Sequence, residues 1–124
     1  MKKLLIAVLL IALGTVAVAQ TIVRLTLTMS AGSGSVTVTD RETFGPNTVE
    51  LTGGVFRFDT NTTATTDVFI VSGSVTQRIG QAIGDGTPFA GIVLDSVAYV
   101  RPGNTIQAEC SDTNRSATGW IWIE

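Results

Sequence analysis

The chain has 124 residues, a formal net charge of −2, 44% hydrophobic and 15% charged side chains, and no histidine. That length bounds it to about one domain. The missing histidine excludes Ser-His-Asp and Cys-His catalysis and His-ligated zinc, and the acidic balance excludes the basic stripe of a nucleic-acid binder.

Residues 1–20 read MKKLLIAVLLIALGTVAVAQ. Lys2 and Lys3 precede an apolar run from Leu4 to Ala19 that ends in Ala17-Val18-Ala19. This is the order of charged n-region, h-region and A-x-A cleavage site in a secretory signal peptide. The run is shorter than the roughly 20 residues of a spanning helix, and Gly14 and Thr15 sit inside it. The expected organisation is therefore a signal helix over 1–19, with an uncleaved anchor as the alternative, and a single domain over 20–124. Such a protein is exported to the periplasm, the cell surface or the medium. It meets a membrane only through residues 1–19, if they are kept. Cleavage removes both lysines and leaves six arginines against ten carboxylates, a net charge of −4. Lys–Asn isopeptide links and a Ser–Lys dyad are then chemically excluded. Cys110 is the only cysteine, so no internal disulfide forms. It is expected to be a small buried hydrophobe, with pairing between chains as the alternative.

Past the signal the pattern is strand-like. Thr21 to Met29 alternates, with Val23, Leu25, Leu27 and Met29 on one face and Arg24, Thr26 and Thr28 on the other. AGSGS makes a turn into a second strand over Ser35–Thr39. Its Gly-x-Gly leads to no helix, so it is not a phosphate loop. In NTVELTGGVFRFDT, Gly53-Gly54 has the chemistry of a two-residue hairpin turn, which would put Val49, Leu51, Phe56 and Phe58 on one face. Asp59 to Asp67 reads as a polar loop, and Val68 to Ser72 as a strand buried on both sides. SVTQRI is a further strand, and GQAIGDGTPF a long loop. Gly91 to Val100 is a strand broken near Asp95-Ser96. Arg101-Pro102-Gly103-Asn104 carries the type II turn signature. Thr105 to Cys110 places Ile106, Ala108 and Cys110 on one face. Short strands at regular spacing predict an all-β fold, a small antiparallel β-sandwich of immunoglobulin-like or jelly-roll order.

The remaining chemistry is thin. The carboxylate pairs Asp40 with Glu42 and Glu109 with Asp112 read as ordinary loop and strand-edge charges. DTNTTATTD offers Asp59, Asn61, Thr63 and Asp67 as oxygen ligands, but Ala64 stands where an EF-hand needs glycine and Ile70 where it needs glutamate. No catalytic residue, metal ligand set or cofactor motif emerges, and the protein is read as not an enzyme.

One segment asks for an explanation. In GWIWIE, Trp120 and Trp122 share one face of a strand and Ile121 and Ile123 the other. One pair belongs in the core, and the second needs a cover, since leaving a large side chain wet forgoes about 1.5–3 kcal/mol. Trp120, Ile121, Trp122 and Ile123, with Tyr99 as a further aromatic platform, are therefore the candidate interface or ligand residues. The exported, threonine- and glycine-rich composition is similar in style to that of appendage subunits and virion surface proteins. The expected function is a self-associating structural protein of a surface appendage or layer, a homo-oligomer or polymer joined through its terminal strands. The alternatives are a monomeric binding module for a glycan or other surface ligand, and a membrane-anchored virion surface protein.

Overall fold

The computed structural model describes residues 23–38 and 49–124. The signal segment 1–19, Asp40 and Glu42 lie outside the described residues. Nine strands follow one another: β1 (Val23–Ser30), β2 (Ser33–Thr37), β3 (Val49–Phe58), β4 (Thr65–Ser72), β5 (Val75–Ile83), β6 (Phe89–Leu94), β7 (Ala98–Val100), β8 (Thr105–Cys110) and β9 (Ala117–Ile123). All their pairings are antiparallel. No helix occurs among the described residues.

The expected sandwich gives way to a barrel. The strands run in the order β6-β5-β4-β8-β2-β1-β9-β3-β7, and a further pairing of β6 with β3 closes the ring into an eight-stranded barrel, with β7 as a short extra strand. Strand β3 makes the closure. Its first residues pair with β7 (Val49↔Val100, Leu51↔Ala98) and its last with β6 (Val55↔Gly91, Arg57↔Phe89). Closure removes sheet edges that two separate sheets would have left open. The interior is filled by one cluster that includes Leu27, Met29, Leu51, Phe56, Val68, Ile106, Ile121 and Ile123.

Glycine-rich segments expected as turns or loops lie partly in strands. The Gly53-Gly54 hairpin does not form, because β3 runs straight through it. Leu51 pairs with Ile123 and Gly53 with Trp122, so Thr52 is the extra residue of a β-bulge. The Thr52 hydroxyl donates to the Trp122 carbonyl at 3.2 Å and bridges the break in the ladder. At Gly54 a Cβ would lie 2.6 Å from the Trp120 carbonyl oxygen and 2.7 Å from Ile92 Cδ1. Any side chain here would press on the β9 backbone and on Ile92. Likewise the expected loop GQAIGDGTPF is strand at both ends: β5 runs on to Ile83, with a second bulge at Ile79 opposite Val68/Phe69, and β6 starts at Phe89.

β2 starts at Ser33 and β4 at Thr65, inside the expected AGSGS turn and Asp59–Asp67 loop, while the alternation of β1 and β8 holds. In β1, Leu27 and Met29 are buried and Arg24, Thr26 and Thr28 are exposed. In β8, Ile106, Ala108 and Cys110 are buried. Asp95–Val97 separates β6 from β7. The 101–104 turn has Gly103 at φ 96° and an Asn104 N–H to Arg101 carbonyl bond of 3.0 Å. In β4, Val68 is buried but Phe69 and Val71 are only half-buried, because a single-walled barrel packs one face of each strand.

The wall is closed unevenly. At the end where β1 finishes, here called upper, β5 pairs with β6 through Gly80↔Leu94 and Ala82↔Ile92, and the Asp95 N–H bonds the Ile79 carbonyl at 2.8 Å. Below that point, among the described residues, Val75–Arg78 of β5 has no ladder to β7. An open seam results at the lower end.

Candidate functional site

The terminal segment is strand β9, and the structure divides its four candidate side chains cleanly. Ile121 and Ile123 point into the core and are fully buried, so they drop out of any outward surface. Trp120 and Trp122 point outward and are half-buried. Both edges of β9 are occupied, by β1 (Arg24↔Trp122, Thr26↔Trp120) and by β3 (Gly53↔Trp122, Val55↔Trp120). The outward pair is therefore available only through its face, not for edge-to-edge strand addition.

Reading outward residues across the ladders shows what surrounds that face. Trp120 pairs with Val55, and Val55 pairs with Gly91. One step up, Thr118 pairs with Arg57 and Arg57 with Phe89. On β6, Phe89 and Val93 face outward, 51% and 70% exposed, and Ile83 on the adjoining end of β5 is 63% exposed. Apolar side chains thus recur on the outer wall from β9 through β3 and β6 to β5, with exposed Arg57 paired to Phe89 and Gln81 to Val93 among them. The glycines on it, Gly53 beside Trp122 and Gly91 beside Val55, would meet nothing within 4 Å if they carried a Cβ. They leave troughs between the raised side chains. A shallow groove of ≈ 490 Å³ also runs along Trp120, with Arg57, Asp59 and Thr118 among its lining.

Sequence patterning found the two tryptophans but missed Phe89, Val93 and Ile83. Phe89 and Ile83 lie in GQAIGDGTPF, whose three glycines and proline read as loop and hide their strand parity. A cluster of exposed large apolar side chains is a feature that marks interaction sites.

Tyr99 lies elsewhere. It is 59% exposed on β7, at the lower end, across the ladder from Glu50. It does not join the tryptophans in one site. The former calcium candidates are also separated: Asp59 sits 3.6 Å from Arg115, while Asp67 sits 3.7 Å from Arg78. Asp112 pairs with Arg115 at 3.2 Å, and Glu109 faces outward on β8. Among the described residues no group of three or more acidic, histidine or cysteine side chains is placed to hold a metal ion.

What the fold and this wall define is a small closed β-barrel with one strongly apolar flank. No protein-family model matches the chain, and no curated protein matches it either.

Proposed function

We propose that the protein is an exported, non-enzymatic structural protein that associates with copies of itself through the outer apolar wall that runs from Trp120 on β9 to Ile83 on β5. Export rests on the sequence of residues 1–19. The observation that carries the association is the continuity of Trp120, Val55, Phe89, Val93 and Ile83 across four neighbouring strands.

Magnitudes decide how such a wall acts. Covering a large apolar side chain contributes about 1.5–3 kcal/mol, and less for tryptophans already half covered. Association costs roughly 4–15 kcal/mol in lost freedom. Two tryptophans alone fall short, whereas the whole band reaches that range. The wall therefore works as one surface, and losing Trp120, its largest side chain, abolishes association rather than trimming it.

The experiment is a light-scattering mass of the exported chain across a concentration series, for wild type and Trp120→Ser. Wild type should form a defined oligomer or growing polymer, and Trp120→Ser a monomer with unchanged circular dichroism. A monomeric wild type at every concentration would sink the reading.

A further inference from the structure

The seam at the lower end opens into a groove of ≈ 350 Å³. Its size falls at the lower end of the roughly 300–1,000 Å³ of small-molecule sites, and the mouth of a β-barrel is a recurrent place for them. The inner faces of β4 and β5 supply Ile70 and Gln77, and Tyr99, Arg101 and Asn104 stand on the opposite side. None of these belongs to the wall around Trp120.

Three properties define what fits. First, Tyr99 offers an exposed ring, a platform for the apolar face of a flat ligand. Second, Arg101 lines the groove and, like Arg24 and Arg57, has no carboxylate within ion-pair distance among the described residues. A guanidinium in that position matches a carboxylate fork. Third, the turn that presents Arg101 and Asn104 is held in place. The Arg101 N–H bonds Asn104 Oδ1 at 2.9 Å, the Gly103 N–H bonds the Val38 carbonyl at 2.6 Å, and the Val38 N–H bonds the Asn104 carbonyl at 2.8 Å. Asn104 thus spends its oxygen on the turn and keeps its NH₂ donors for a ligand. Preorganisation of this kind lowers the cost of binding.

We propose that this groove binds an acidic sugar of one or two rings. The pyranose face lies on Tyr99, the carboxylate meets Arg101, and the hydroxyls meet Gln77 and Asn104. Glu50, exposed across the ladder from Tyr99, is not part of the groove's lining.

Tyr99 is the only tyrosine in the chain, so its ring signals in an NMR spectrum report the groove alone, and the indole signals of the two tryptophans report the wall. The exported chain is titrated with glucuronic acid, with glucose, and with an acetylated peptide ending in a free carboxylate. The expected result is a saturable shift of the Tyr99 signals with glucuronic acid and at least about tenfold weaker binding of glucose, a gap that a charge-assisted pair readily supplies. Arg101→Gln should remove that preference, and Tyr99→Ala should remove binding while Tyr99→Phe retains it. No shift with glucuronic acid, or an equal response to glucose, would overturn the proposal. A response to the peptide alone would overturn it too, in favour of a polypeptide ligand. Because the indole signals are read in the same spectra, failure here is distinguishable from failure of the wall.

Discussion

Phe56 lays its ring across Gly119. The two are directly paired on β3 and β9, Phe56 is fully buried, and a Cβ built on Gly119 would sit 2.7 Å from Cε1 and 2.9 Å from Cδ1 of that ring. An aromatic ring thus covers a glycine that would otherwise expose bare backbone in the middle of a sheet. The glycine that opens GWIWIE is as much a part of the core as the isoleucines that follow it.

Gly119→Ala should therefore destabilise the barrel by about 1–3 kcal/mol, the usual cost of forcing an extra methyl into a packed core. The strain is specific to one ring. In a Phe56→Leu background the same substitution should cost less, with a coupling of roughly 0.5–3 kcal/mol in a double-mutant cycle. Chemical denaturation of the four proteins measures it.

The two faces of β9 should separate stability from association. Ile121→Ala removes a fully buried side chain and should cost about 2–5 kcal/mol of stability. Trp122→Ser changes a half-buried outward one. It should shift the denaturation midpoint less than Ile121→Ala does, while weakening self-association in light scattering.

Asp85 gives one pH-dependent contribution. Its carboxylate accepts the Thr87 hydroxyl at 2.7 Å and the Thr87 N–H at 3.0 Å. The hydroxyl first, and the amide after it, hold its pKa below the ordinary carboxylate value. A depressed folded pKa means that the contribution is fully present above the unfolded value and is lost as pH falls through the folded one. Asp85→Asn should thus be less stable than wild type at neutral pH, and the gap should close in acid. Denaturation midpoints of both proteins along a pH series check this.

Cys110 is buried on the inner face of β8. It should react slowly with a thiol reagent in the native state and at once in denaturant, and non-reducing gels of the native protein should show no cross-linked dimer. Rapid labelling without denaturant would overturn its burial.

Much of this fold was legible in side-chain alternation. The faces of β1 and β8 and the break at Asp95-Ser96 follow from it directly. The barrel was not, and β3 shows why. Leu51 is buried at an odd position and Phe56 and Phe58 at even ones, so the inward parity switches between them. A two-residue turn and a one-residue bulge both switch parity, and Gly53-Gly54 suits either. Only the long-range pairing of β3 with β9 and β6 selects the bulge, and local chemistry does not report that. The same holds for the site. Trp120 and Trp122 announce themselves, but that Phe89, Val93 and Ile83 continue their surface depends on which strands become neighbours.

The position of β9 between β1 and β3 also dictates when the molecule can assemble. Val23–Ser30 is among the first described stretches to be synthesised, yet the ladder joining it to β3 is supplied entirely by Ala117–Ile123. A nascent chain must wait for those 7 residues to emerge before its ring can close. Contacts this distant in sequence form late and slowly. Until then Leu27, Met29 and Phe56 lack the β9 side of the core they share with Ile121 and Ile123.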